Sequence, residues 1–194
     1  MKRTKHIVVG LIGAALMIAP ESRAALSPLG GEFPLLGNIA GHQQNPNVAL
    51  GRTGGFVVWQ TATESDSTER VMVQRLSGDM TGSGTGVRVS QSYERWNELN
   101  PRVTMFANGY AAVVWVGGPR SSTDIYIRFL DSKGNYLGAP TLANSYLPGI
   151  QSAPDVTTLS TGEVVVIRTS LDQDADGEGV FGQIFTAGGA RLGG

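Results

Sequence analysis

Three short apolar runs, each opened by a glycine, limit the folds open to this chain more than any other feature. They are Gly54-Gly55-Phe56-Val57-Val58-Trp59, Gly109-Tyr110-Ala111-Ala112-Val113-Val114-Trp115 and Gly162-Glu163-Val164-Val165-Val166-Ile167. The runs are rich in β-branched residues and too short for ordinary helices. A strand with one wet face would alternate apolar and polar residues, which these runs do not. Each run therefore predicts a β-strand buried on both faces.

The three runs belong to an internal repeat. A proline stands eight residues before each opening glycine, at Pro46, Pro101 and Pro154, and these prolines are 55 and 53 residues apart. One unit carries four short strands: one near Phe33, one at 48–50, the apolar run at 56–59, and one at 71–76 after a polar loop. A four-stranded meander repeated at this spacing is typical of propeller blades.

We therefore predict an all-β fold of three tandem four-stranded antiparallel blades, β-propeller-like and either incomplete or open. Closed propellers have about 4–8 blades, and the sequence shows three. A ladder of stacked four-stranded units and a sandwich are the alternatives. The predicted units are residues 25–82, 83–137 and 138–194, the last including the start of a further unit. Open blade faces would expose apolar surface, so self-association through them is also expected.

The first 24 residues have the layout of a secretory signal peptide. A basic start is followed by an apolar run over 7–19, then Pro20, and then Ser22 and Ala24 as the small residues before a cleavage point. The run is shorter than the ~20 residues that span a bilayer; an uncleaved anchor is the alternative. We predict a protein that is secreted or held at the cell surface, in a bacterial periplasm or outside the cell.

Charge and cysteine content exclude two classes. The formal net charge is −1, and without residues 1–24 the chain is more acidic, which argues against a nucleic-acid partner. The chain has no cysteine, so neither a disulfide framework nor a bacterial lipoprotein anchor is available.

The repeat resembles one found in many large exported bacterial proteins. The residues that carry the resemblance are Gly31-Glu32-Phe33, Pro46-Asn47-Val48-Ala49, Gly54-Gly55-Phe56-Val57-Val58-Trp59 and Gln74-Arg75-Leu76. The third unit departs from the pattern with Arg168 where the others have tryptophan. The resemblance implies an exported, propeller-like array of the kind found in cell-surface proteins, and it brings no set of catalytic residues.

One loop has the composition of a calcium site. Asp172, Asp174 and Asp176 alternate before a glycine, as in loops that wrap Ca²⁺, and Glu178 is a further candidate ligand. The twelfth position, where a helix-loop-helix calcium loop has glutamate, is Gln183. The sequence predicts calcium as the one cofactor; an ordinary solvated acidic turn is the alternative.

The longest loops should share one edge of the blades, because alternate connections of a meander emerge on the same side. Tyr93, Arg95 and Trp96 lie on one such loop and Tyr146 on another. Trp, Tyr and Arg dominate binding hot spots, and aromatic rings also stack on sugars. These four residues are the predicted ligand-binding set. The alternative is that Trp96 packs down onto the end of its own blade.

A catalytic function has weaker support. Outside residues 1–24 the chain has one histidine, His42, and it has no Gly-x-Ser-x-Gly motif. The carboxylates that could form a glycosidase pair are read as solvated loop charges; they are Glu64, Asp66, Glu94 and Glu98. Arg168 is read either as a buried arginine paired with Asp155 or Glu163, or as a solvated residue at an open edge, which we expect.

The sequence therefore predicts a non-catalytic, secreted module that binds an extracellular protein or glycan through its long-loop face. The alternatives are a fragment of a carbohydrate-active propeller enzyme and a structural spacer of a cell-surface protein.

Overall fold

The computed structural model describes residues 30–63, 66–82, 86–90 and 96–193. The predicted signal peptide lies outside these residues. The described part of the chain has no helix long and apolar enough to cross a membrane.

The described residues form twelve β-strands, which pair into three antiparallel sheets of four. The strands of sheet 1 are β1 (His42–Gly51), β2 (Gly54–Thr63), β3 (Asp66–Ser77) and β4 (Val87–Arg88). Those of sheet 2 are β5 (Leu99–Met105), β6 (Ala111–Gly117), β7 (Asp124–Leu130) and β8 (Thr141–Leu142). Those of sheet 3 are β9 (Gln151–Thr158), β10 (Val164–Leu171), β11 (Glu178–Phe185) and β12 (Arg191–Leu192). Each sheet is a simple meander, which confirms the predicted blades.

The first strands of the sheets lie side by side, as the inner strands of propeller blades do. The Val103 amide donates to Asn47 Oδ1 at 2.9 Å, which joins β5 to β1. The Thr158 hydroxyl donates to the Met105 carbonyl at 2.8 Å, which joins β9 to β5. The fold is therefore propeller-like, with three blades arranged around β1, β5 and β9.

Five of the hairpin loops share one geometry, which explains why the repeat needs its glycines. In loops 77–81, 106–110, 131–135, 159–163 and 186–190 the first residue donates to the fifth carbonyl and the fourth amide donates back to the first carbonyl. The fourth residue has a positive φ in every case and is Gly109, Gly134, Gly162, Gly189 or, in the first loop, Met80. Glycine adopts this conformation without the steric cost that a side chain adds.

The first strand of each sheet carries a bulge in front of its repeat proline. The residues before those prolines, with φ of 48°, 51° and 46°, are Asn45, Asn100 and Ala153. The pairing with the next strand shifts register at each of these points. Proline cannot donate to the sheet, so it is tolerated at such a bulge. Asparagine enters the left-handed region readily, whereas alanine does so at a cost.

We predict that Ala153→Asn stabilises the protein by about 1 kcal/mol. Alanine is strained at the positive φ of this position, whereas asparagine adopts that conformation at a lower cost. Ala153 is exposed, so the substitution costs no packing. Urea unfolding of the two proteins measures the difference. Thr157→Asn, on an exposed site of the same strand with no positive φ, is the control and should change stability by less than about 0.5 kcal/mol. Equal effects of both substitutions would contradict the strain argument.

The core lies in the two junctions between sheets. In the first junction, Phe56 and Val58 of sheet 1 pack on Val113 and Trp115 of sheet 2. In the second junction, the other face of β6 packs on Val164 and Val166 of sheet 3 and on neighbouring residues. Every residue of β6 is buried, as the sequence predicts for a strand covered on both faces.

The two outer faces of the array differ. A segment over 34–41 covers sheet 1, where Leu35, Leu36 and Ile39 pack against the cluster that contains Trp59. The outer face of sheet 3 is uncovered, so β10 alternates between buried and open positions and Val180 is 78% exposed. The expectation that β10 is buried on both faces is therefore wrong, because nothing among the described residues packs on its far side. Self-association through this face stays a prediction.

Each sheet begins and ends one strand later in the chain than the predicted unit does. Residues 30–41 form turns and bends, and no strand lies near Phe33. The strand that the sequence places first in the second unit is β4, which pairs with β3 of sheet 1. The residues that resemble the start of a fourth unit form β12, which pairs with β11. The turns at 77–81 and 186–190 follow β3 and β11 and reverse the chain direction.

Candidate functional site

The edge of the sheets that carries the β2–β3, β6–β7 and β10–β11 loops also carries the two segments that connect one sheet to the next. We call it the long-loop edge. The Gln151 amide donates to the Thr123 carbonyl at 2.9 Å, and the Leu171 amide donates to the Ile150 carbonyl at 3.0 Å. The Tyr146 hydroxyl donates to the Asp172 carbonyl at 3.3 Å. These contacts show that the second connecting segment lies at the same edge as the β6–β7 and β10–β11 loops.

A polar side chain of each connecting segment binds a main-chain amide on the third strand of the preceding sheet. Glu98 accepts the Val71 amide at 2.8 Å and forms an ion pair with Arg88. Asn144, at the equivalent place in the second junction, accepts the Ile125 amide at 2.8 Å. The interpretation of Glu98 as a solvated charge is wrong, because it is 4% exposed and holds two strands together.

A cleft with a volume of about 570 Å³ lies at the first junction on the long-loop edge. Trp115 and Tyr126 form one wall, with their rings stacked at 5.7 Å between centroids and 16° between planes. Trp96 stands on the connecting segment at the mouth and is 42% exposed, with Asn97 and Glu98 beside it. The cleft thus combines aromatic surface with a few polar groups, as small-molecule sites do.

The structure brings only part of the predicted binding set into this cleft. Trp96 lines it and is 42% exposed. Tyr93 and Arg95 lie outside the described residues. Tyr146 lies at the second junction, where its hydroxyl is bonded to the carbonyl of Asp172.

The sequence reasoning missed Trp115 and Tyr126 as cleft residues. Trp115 was assigned to the core alone, and at 2% exposure it does belong there, but its ring also forms the cleft wall. Gly117 leaves space for the Tyr126 ring that stacks on Trp115, because a Cβ at this position would lie only 3.0 Å from the Tyr126 ring. The signal available was the register, because Trp115 pairs with Tyr126 across β6 and β7.

The second junction has a smaller cleft of about 230 Å³. Arg168 stands there where Trp115 stands in the first cleft, and Phe181, its pairing partner on β11, takes the place of Tyr126. The expectation of a solvated edge for Arg168 is wrong, because the residue faces sheet 2 and is 8% exposed. The Arg168 side chain donates to Gln173 Oε1 at 2.8 Å, rather than to Asp155 or Glu163.

The aspartate loop forms a hairpin turn. Asp172 has φ of 58°, and its amide donates to the Gly177 carbonyl at 2.7 Å. Asp174 lies against Gly179, and Asp176 and Glu178 are exposed. No group of three or more His, Cys, Asp or Glu side chains gathers as a metal site among the described residues. Calcium binding by this loop stays a prediction.

A groove of about 830 Å³ lies at the opposite edge, among the short turns. Residues of the turns line it, together with Arg52, Phe56, Arg75 and Lys133. It lacks the exposed aromatic ring that distinguishes the first-junction cleft, which we therefore take as the candidate site.

No family model matches the chain, and no curated protein matches it significantly. Solved structures do show similarity of fold. An endo-arabinase from Bacteroides thetaiotaomicron aligns with a TM-score of 0.51 and 14% identity, over 78% of this chain and 61% of the enzyme. A sucrose-6-phosphate hydrolase from Lactobacillus gasseri aligns with a TM-score of 0.49 and 12% identity, over 78% of this chain and 33% of the enzyme.

An aldose sugar dehydrogenase from Streptomyces coelicolor is also similar, with a TM-score of 0.41 and 16% identity, over 84% of this chain and 50% of the enzyme. The chain spans less than two thirds of each of these three proteins. At these identities the likeness to the endo-arabinase concerns the fold, and it agrees with the propeller-like arrangement of the sheets.

Proposed function

We propose that this chain is an exported, non-catalytic module that binds a glycan in the first-junction cleft of its long-loop edge. The observation that carries the proposal is the partly exposed indole of Trp96 at the mouth of a cleft walled by the stacked rings of Trp115 and Tyr126. The resemblance to exported repeats and the signal-peptide layout of residues 1–24 support export.

The chemistry of the cleft suits a sugar ring better than a wholly apolar ligand. Aromatic rings present flat apolar faces on which the C–H face of a sugar can stack, while a few polar groups orient the hydroxyls. Asn97 lines the same cleft; its Oδ1 accepts the Glu69 amide, and its side-chain NH₂ can donate to a hydroxyl group. A weak, selective contact of this kind needs no large buried area.

The carboxylate in the cleft supports binding rather than hydrolysis. Glycoside hydrolysis generally needs two carboxyl groups on either side of the scissile bond. Glu98 is the one carboxylate among the described lining residues, and its oxygens already hold the Val71 amide and Arg88. A carboxylate tied in this way positions the connecting segment rather than transferring a proton.

Trp96→Ala is predicted to weaken glycan binding by about 10–100-fold, because truncating an aromatic anchor costs roughly 1–3 kcal/mol. Glycan-array screening of the protein without residues 1–24 would identify the ligand, and calorimetry would measure both affinities. Leu147→Ala is the matched control, since Leu147 is an exposed apolar residue at the long-loop edge that does not line the cleft. A native protein that binds no glycan, or a loss that Leu147→Ala reproduces, would contradict the proposal.

The second candidate is a part of a carbohydrate-active propeller enzyme. The fold likeness to an endo-arabinase, of which the chain spans 61%, is the observation that favours it. Release of reducing sugar from polysaccharides or aryl glycosides, abolished by Glu98→Gln without loss of folding, would support this candidate against the binding module. A spacer would show neither activity nor binding.

A further inference from the structure

The second-junction cleft repeats the first with one change of chemistry. The connecting segment supplies Asn144 and Ser145, and the strands supply Arg168 and Phe181 at the places of Trp115 and Tyr126. The wall is therefore a guanidinium beside an aromatic ring, 5.5 Å from its centroid, instead of two stacked rings. A cleft that offers a neutral aromatic face in one junction offers a fixed positive charge in the next.

At least one hydrogen-bond donor of the Arg168 guanidinium has no acceptor among the described residues. It is 8% exposed, one Nη donates to Gln173, and its buried Nε has no hydrogen-bond partner among the described residues. A buried donor without a partner costs about 1–3 kcal/mol, more when it is charged. An incoming acceptor would remove that cost.

Arg128 shows what a purely structural arginine looks like in this fold. It is also buried, on β7, but its Nε donates to the Gly138 carbonyl at 3.0 Å and its Nη1 to the Val89 carbonyl at 2.6 Å. Its guanidinium lies 3.5 Å from the centroid of the Tyr136 ring. Arg168 has no such pair of carbonyls, and it lines a cleft.

The charge of Arg168 is available to a ligand. Burial lowers the pKa of its guanidinium from the ordinary value, and the Asp124 carboxylate opposes that shift, but arginine stays protonated in proteins. Asp124 is held by Asn144, whose Nδ2 donates to its Oδ1 at 2.7 Å, and it shares no hydrogen bond with Arg168 among the described residues. No ion pair of Arg168 occurs within the described part of the chain.

We infer that the second-junction cleft binds the carboxylate of an acidic sugar through Arg168, with the sugar ring against Phe181. This inference rests on the proposed glycan-binding function and names its ligand class. Guanidinium matches the fork geometry of a carboxylate, and the cleft is smaller than the roughly 300–1,000 Å³ of drug-sized sites, so it suits one sugar unit. Because both clefts open at the long-loop edge, a glycan lying along that edge would meet the aromatic cleft and the cationic cleft one repeat apart.

The test compares an oligosaccharide of galacturonic acid with its fully methyl-esterified form, which removes the charge and keeps the sugar. The native protein should bind the acid at least about tenfold more tightly in calorimetry. Arg168→Gln should abolish that preference, Arg168→Lys should retain part of it, and ¹⁵N-resolved NMR should show the Arg168 Nε–H resonance shifting with the acid alone. Arg120→Gln removes the same charge from an exposed site in the β6–β7 loop and should leave the preference unchanged.

Three results would overturn the inference. The first is equal binding of the acid and the ester by the native protein; the second is an acid preference that survives Arg168→Gln in a variant whose melting temperature and NMR dispersion show it folded. Displacement of the oligosaccharide by an equal concentration of sulfate would also overturn it, since it would indicate a general anion site. Failure of the proposed function looks different, because binding of the neutral ester would then be absent or insensitive to Trp96→Ala.

Discussion

Gly54→Ala is expected to destabilise the protein by about 4 kcal/mol or more, which is exceptional for a change of one methyl group. Gly54 opens β2 at φ of +121°, outside the range that L side chains favour. A Cβ built there would lie 2.1 Å from the Leu76 carbonyl oxygen, a main-chain atom of the paired strand that cannot turn aside. Urea unfolding monitored by tryptophan fluorescence measures the loss.

Gly162→Ala is the matched control. Gly162 also precedes a central strand and has φ of +101°, but a Cβ there would meet nothing within 4 Å. It should therefore cost only the backbone strain of a non-glycine residue at positive φ, about 1–2 kcal/mol. Similar losses for both substitutions would mean that the close approach of β2 to β3 at Gly54 does not exist.

The central strands were predictable because their composition leaves few alternatives. Runs such as 56–59 and 111–115 are too apolar to be exposed to solvent and too short and β-branched to form helices. Both are buried, as predicted. The point at which each sheet begins was not predictable. β4 and β12 are strands of only two residues, and the sequence does not say whether such a strand pairs with the strand before it or with the strand after it.

The candidate site was less predictable, since a cleft is a property of two sheets at once. Trp96 could be chosen for its residue type and loop position. Trp115 could not, because the pattern that buries it says nothing about a cavity beside its ring. The burial of Arg168 was missed because exposure was inferred from an open edge, while register places the residue on the face toward sheet 2, not on the open face. For the predicted Ca²⁺ loop, the sequence gives the number of carboxylates but not the directions in which they point.

Trp115→Ala is expected to destabilise the protein by about 3–5 kcal/mol, the range for large aromatic truncations in cores. The ring is 2% exposed, packs in the first junction with Phe56 and Val58, and stacks on Tyr126. Trp59→Ala should cost a similar amount, since Trp59 is 1% exposed beneath the 34–41 segment.

The comparison with Trp96→Ala separates stability from binding. Trp96 is 42% exposed, so its loss should change the free energy of unfolding by less than about 1 kcal/mol while removing the glycan contact. Trp115→Ala should reduce both, because one ring serves as junction core and as cleft wall. In a double-mutant cycle, Trp115→Ala and Tyr126→Ala should couple by about 0.5–1.5 kcal/mol, as stacked rings do. If the Trp115→Ala variant has the same melting temperature as the native protein, the assignment of Trp115 to the junction core and to the cleft wall is wrong.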